Sequence, residues 1–192
     1  AKDYVKGDSQ LLHQQTWMLG TSYIYSVIGM PQGIARDISE DRLPEGLYPP
    51  LEPYFYVILE KSLLLRGEYH KLAGLFPMHY EAASRLPNVL AQIYLSLFAA
   101  VAYLKLFHKE EGMNLLRQAL NLAQADGLVI PFAENMQYIA IPLQQLLHAG
   151  FEVDFIKSIQ TLSLEEKIQS LQQQIDEKEH GYSLTSREKE IL

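Results

Sequence analysis

The chain has 192 residues, 48% of them hydrophobic and 20% charged, a balance that supports one domain or one elongated array with a buried core. A net charge of -7 and an isoelectric point near 5.3 exclude a broad phosphate-binding face within these residues, because such faces are built from clustered Lys and Arg. Cysteine is absent, which removes disulfides and thiolate metal sites and fits a reducing compartment such as the cytoplasm. No apolar run approaches the roughly 18 residues of a membrane span, so no membrane partner is expected. The opening AKDYVKGDSQ lacks the apolar stretch and cleavage site of a signal peptide, and the missing initial Met suggests a piece of a longer protein.

Helical periodicity dominates, with apolar residues three and four apart, and no long stretch fits the alternation of a strand. Helices are expected near 10–28, 33–41, 53–66, 69–85, 88–106, 109–126, 132–149, 152–159 and 164–179, so the fold class is all-α. Pro44, Pro49, Pro50 and Pro53 push the residues before them away from the α region, and residues 43–53 read as an extended connection.

RGEYHKL, residues 66–72, has the look of the turn between the two helices of a tetratricopeptide-type unit, with Gly67 permitting the tight turn. Similar turns fall at Gly29 (IGMPQGIA), at Phe107 (LFHKEEGM) and at Gly150 (HAGFEVDF), a spacing of about 40 residues. Aligned on these anchors, Tyr25, Leu63, Tyr103 and Leu146 share one packing position four residues before the turn. Ala99 and Ala100 then mark a place where two helices approach closely. The expected architecture is a tetratricopeptide-like helix-pair solenoid over residues 1–160, in which each unit buries a face it could not bury alone. The alternative is a non-repeating helical domain whose turns coincide, and a closed four-helix bundle would exclude the array.

Residues 161–182 read as a helical linker. Ser163 and Glu166 form a capping box, and Leu164, Ile168, Leu171 and Ile175 recur at four, three and four, the stripe of a coiled-coil seam. Such a short stripe either docks the helix on its own domain or pairs it with a second copy. His180-Gly181-Tyr182 interrupts the pattern. A further capping box, Thr185 with Glu188, then opens a helix that carries only Ile191 and Leu192 as apolar residues, too few to stand without a partner surface.

LTSREKEIL, residues 184–192, resembles the opening of the LuxR-type helix-turn-helix domain, Leu-Thr-x-Arg-Glu-x-Glu-(Val/Ile)-Leu. Leu184, Thr185, Arg187, Glu188, Glu190, Ile191 and Leu192 match its fixed positions. The preceding region is similar to the sensor array of the large ATP-dependent LuxR-type regulators typified by the bacterial maltose regulator. Ala119, Leu120, Leu122, Ala123, Gly127, Pro131 and Phe132 follow their pattern of a Leu-rich helix, a Gly and then Pro-Phe. This resemblance implies a signal-sensing part of a bacterial transcriptional regulator, with ATP bound in an upstream module and no cofactor here. It also implies that DNA is contacted only by the C-terminal domain begun at residue 183, because the recognition helix that would enter the major groove lies beyond Leu192.

Catalytic patterns are missing. His13, His70, His79, His108, His148 and His180 contain no i, i+4 pair, G-x-S-x-G is absent, and the neighbouring carboxylates Glu110-Glu111 and Glu165-Glu166 diverge around a helix. No enzyme activity is expected, and no metal. The aromatics carry more. On the Gly-anchored alignment Tyr54, Tyr94 and Gln137 share one position that faces the concave side of such arrays, and Tyr23, Lys61 and Gln144 share a second. Together these six would line a groove for a sugar ring or an aromatic acid; taken singly, each tyrosine is better suited to packing between helices. The functional expectation is a small-molecule inducer sensor that relays through helix 164–179. The alternative is a platform for self-association or for a regulatory protein, without a small ligand.

Overall fold

The computed structural model describes residues 2–162 and 164–181, and its elements among these are helices joined by turns, with no strand. They are α1 (Lys2–Val27), α2 (Arg36–Ser39), α3 (Glu52–Leu65), α4 (Tyr69–Arg85), α5 (Val89–Lys105), α6 (Lys109–Gln124), α7 (Ile130–Ala133), α8 (Met136–His148), α9 (Val153–Thr161) and α10 (Glu165–Gly181). Among the described residues no helix is long and apolar enough to cross a membrane. Three of the expected helices differ from the sequence reading, and the connection expected to be extended over 43–53 contains a 3-10 turn, Pro49–Leu51. The first helix starts at Lys2 instead of near residue 10, because residues 2–9 are largely polar and give periodicity nothing to register. The stretch 33–41 is a 3-10 turn, Pro31–Gly33, followed by the short α2. The stretch 132–149 is two helices, broken at Glu134 and Asn135.

The four turns singled out by spacing share one construction. Gly29, Gly67, Phe107 and Gly150 all adopt positive φ, between 64° and 74°. In each, the following amide donates to a carbonyl five residues back: Met30 to Tyr25 at 2.9 Å, Glu68 to Leu63 at 2.9 Å, His108 to Tyr103 at 2.9 Å and Phe151 to Leu146 at 3.0 Å. This is the Schellman motif, which pairs carbonyls that the helix end would leave orphaned. The shared position inferred from sequence, Tyr25, Leu63, Tyr103 and Leu146, is thus the acceptor of that bond. The same motif also ends α6, where Gly127 has φ 65° and Leu128 donates to Ala123 at 2.9 Å. Phe107 is the costly member: an L-residue in the left-handed region, with its side chain 94% exposed.

The core centres on α3 and α5. From Ile93 to Ala102 every residue of α5 is buried, and α5 lies against α3, α4, α6 and α7. Its small residues allow a close approach, since a Cβ added to Gly112 of α6 would stand 2.9 Å from the Ala100 carbonyl oxygen and 2.7 Å from Leu104 Cγ. The proline-rich connection is held to α1 by one side chain. Gln15 donates to the Gly46 carbonyl at 2.9 Å and accepts from the Tyr48 amide at 3.0 Å.

Helix α10 docks back on the start of the fold, with the Gln172 amide donating to the Ile28 carbonyl beside Gly29. Ile168 lines a cavity there with Leu65 and Ala133, Leu164 and Ile175 are half-buried, and Leu171 is 48% exposed, so the stripe is partly covered. Ser163 of the first capping box lies outside the described residues, as do Leu184, Thr185, Arg187, Glu188, Glu190, Ile191 and Leu192.

Candidate functional site

The break between α7 and α8 brings polar groups into the interior. Pro131 stands in the first turn of α7, and four residues on the Asn135 amide turns back to donate to the Pro131 carbonyl at 2.7 Å. A side chain that bonds its local backbone in this way offers an alternative to continuing the helix. Glu134 and Asn135 thereby face α1, α3 and α5 rather than one side of a longer helix.

Around Glu134 three oxygens form a triangle. Tyr23 of α1 donates to Glu134 Oε2 at 2.8 Å, Tyr94 of α5 donates to the same oxygen at 2.7 Å, and the two phenol oxygens are 2.7 Å apart. The rings meet edge to face, with centroids 6.2 Å apart and planes at 82°. Burial, with the Glu134 charge next, raises the pKa of both tyrosines and keeps them neutral phenols. Lys61 of α3 lies alongside. Its ammonium donates to Asn135 Oδ1 and stands over the rings of Tyr138, 4.9 Å from the centroid, and Phe98, 5.6 Å from the centroid. Only 3% of Lys61 is exposed; burial lowers its pKa to about 8, against a partial pull upward from Glu134.

Two cavities flank this polar centre. The first, of about 360 Å³, lies between α1, α3 and α5 and is lined by Thr16, Leu19, Tyr23, Tyr54, Val57, Ile58, Leu90 and Tyr94. The second, of about 270 Å³, lies under α10, where Glu134, Gln137 and Tyr138 face Ile168, Gln169 and Gln172. Glu134 is therefore shared: the tyrosines of the first cavity bond to it, and it lines the second.

Of the six residues expected to form a groove, the structure brings Tyr23, Tyr54 and Tyr94 to the first cavity. Tyr54 is at its rim, 41% exposed, and Tyr94 is buried. Lys61 lies behind the two inner tyrosines, where the ammonium serves Asn135 instead of an open groove. Gln137 lines the second cavity. Gln144 belongs to neither, and is exposed beside His148 at 3.2 Å and Gln160 at 3.4 Å, because its part of α8 has passed beyond the central contacts. Glu134 and Asn135 were missed by sequence reasoning. The Pro131 to Asn135 spacing was the available signal.

A convergent ionisable pair, which sequence patterns did not reveal, does exist elsewhere. Glu60 Oε1 and His79 Nδ1 are 2.9 Å apart, both residues are fully buried, and Tyr56 stacks on the imidazole with centroids 4.2 Å apart. Burial raises the Glu60 pKa well above its ordinary value and lowers that of His79 to about 4. The pair is sealed and lines neither cavity, so it can serve packing but gives a substrate no approach. Among the described residues no group of three or more His, Cys, Asp or Glu could hold a metal ion. No family model, curated protein or solved structure matches this chain.

Proposed function

We propose that this chain is the signal-sensing and signal-transmitting part of a bacterial, cytoplasmic transcriptional regulator of the LuxR type. It would bind a small-molecule inducer in the tyrosine-lined cavity and relay to a C-terminal DNA-binding domain. The observation that carries this reading is the 360 Å³ cavity, within the range of about 300–1,000 Å³ typical of ligand sites and walled mainly by apolar side chains with a few polar groups. The helix-pair array belongs to the same proposal. It is supported by the repeated Schellman turns and by contacts that run α1 to α3, α3 to α5 and α5 to α7.

Transmission follows from Glu134. A ligand that loosened Tyr23 or Tyr94 from this carboxylate would change the wall on which α10 rests. Only a ligand that binds the α10-docked and α10-released arrangements with different affinity can shift their balance.

The test is thermal unfolding of this chain against a panel of small molecules, repeated with Tyr54→Ala. Ligand at about 100 times its dissociation constant adds roughly 2.7 kcal/mol, a rise of about 5–10 °C for a chain of this size. A dose-dependent rise that is lost in Tyr54→Ala supports the reading. A rise that survives Tyr54→Ala places the ligand elsewhere.

A second reading, a protein-interaction platform, is favoured by the outer face of α1. Leu12, Trp17 and Ile24 are 38%, 77% and 58% exposed there. Concentration-dependent self-association that ends on Trp17→Glu, with no ligand-induced rise across the panel, would select it.

A further inference from the structure

The cavity under α10 differs in kind from the tyrosine cavity. We propose that it is a second small-molecule site, which takes an organic cation, a primary ammonium on a short chain, and pairs it with Glu134.

The ends of α1 and α3, the break between α7 and α8, and α10 enclose this space of about 270 Å³. At about 30 Å³ for each water-sized group it has room for roughly nine of them. Most of its wall is polar, whereas the wall of the tyrosine cavity is apolar. Glu134 is the one charged residue on that wall among the described residues. Both phenols reach its Oε2, and among the described residues Oε1 accepts no hydrogen bond. Half-buried, Glu134 also belongs to no ion pair there. Lys61, which its charge attracts, gives its ammonium to Asn135 Oδ1 and to the faces of Tyr138 and Phe98. A carboxylate withdrawn from water without a cation carries a desolvation cost, and a cation arriving from solution relieves it.

The neighbouring side chains suit the rest of an ammonium, which has three N–H donors and no acceptor. The Gln172 amide donates to the Ile28 carbonyl, and this leaves Gln172 Oε1 as an acceptor. Gln137 and Gln169, on the same wall, make no side-chain hydrogen bond among the described residues, so either can turn its amide oxygen to the ligand. Glu134 and Gln137 come from the α7–α8 region and the other two from α10, so a cation held by both sides fastens α10 to the fold. A carboxylate or phosphate in the same place would face Glu134 with no Lys or Arg on the wall to balance it.

The experiment uses 5-aminopentan-1-ol, pentane-1,5-diol and 5-hydroxypentanoate, chains of one length that differ at one end. Each is titrated calorimetrically at neutral pH into the chain, into Glu134→Gln and into Gln137→Ala. The expected result is that the amine binds at least about tenfold tighter than the diol, a difference of 1.4 kcal/mol, with the carboxylate weakest. That advantage disappears in Glu134→Gln. Because Glu134 also holds two tyrosines, Gln137→Ala is the second variant: Gln137 is exposed, and its loss should weaken the amine about tenfold, the worth of a hydrogen bond to a charged group, with the urea midpoint unchanged. Methyl NMR should show the amine shifting Leu65 and Ile168, with Val57, Ile58 and Leu90 of the tyrosine cavity unmoved. A diol that binds as tightly as the amine, an advantage that survives both variants, shifts confined to the tyrosine cavity, or no binding at millimolar amine would each overturn the inference. None of these results counts against the tyrosine cavity, which is tested separately.

Discussion

Replacing Lys61 with Met isolates the cost of the ammonium held at the centre of this fold. Lys61 is 3% exposed, and burial lowers its pKa from 10.5 to about 8, a difference equivalent to about 3 kcal/mol at 1.36 kcal/mol per pH unit. The sign follows from proton counting. Between pH 8 and pH 10.5 the unfolded chain keeps the proton and the folded chain has released it, so stability rises with pH across that window. Below pH 8 both states are protonated, and the folded state carries the full cost of the buried charge. Lys61→Met removes this dependence. It also leaves Asn135 Oδ1 without its donor, a loss of about 1–3 kcal/mol that is independent of pH and offsets much of the gain at pH 7. The assay is urea unfolding of both proteins from pH 7 to about pH 9.5. Relative to Lys61→Met, the natural chain should gain about 2 kcal/mol between pH ~8 and pH ~9.5. The comparison cancels tyrosine ionisation, which is common to both proteins. Curves that stay parallel would refute the reasoning, because a solvated ammonium would then occupy this position.

Three other substitutions test the packing. Gly112→Ala places a methyl 2.9 Å from the Ala100 carbonyl oxygen; overpacking of about 1–3 kcal/mol should outweigh a helix-propensity gain of about 1 kcal/mol and lower the urea midpoint. Phe107→Gly relieves a left-handed residue whose side chain is 94% exposed, and should raise stability by about 0.5–1 kcal/mol in the same assay. Glu60→Gln keeps a hydrogen-bonding group beside His79 and removes a carboxyl whose pKa is raised in the folded state. The natural chain should therefore lose stability relative to this variant as pH climbs above 4.5, and equal pH dependence in the two would remove the buried acid from the account.

Much of the fold was legible because helix ends obey local rules. A residue that must adopt positive φ announces itself as Gly, and the regular spacing of Gly29, Gly67 and Gly150 led even to Phe107, which no glycine count would find. The site was less legible because it depends on contacts far apart in sequence. Tyr23 and Glu134 are separated by 111 positions, and Lys61 and Asn135 by 74. The alignment found Tyr23, Tyr54 and Tyr94 because they sit on helices that touch in order, α1, α3 and α5. Gln144 lies away from both cavities because its part of α8 has run beyond the central contacts. The break at Glu134 and Asn135 divides the helix expected over 132–149, and it places the carboxylate on which two tyrosines converge.

The cavity between α1, α3 and α5 is tested most directly by methyl NMR of the chain labelled at Ile, Leu and Val, titrated with 3-phenylpropan-1-ol. Saturable shifts at Leu19, Leu51, Val57, Ile58 and Leu90, with Leu116 and Leu120 in the α6 interface unmoved, are the predicted result. Shifts confined to Leu12 and Ile24 on the outer face of α1, or none at saturating concentration, would contradict a ligand-sensing interior.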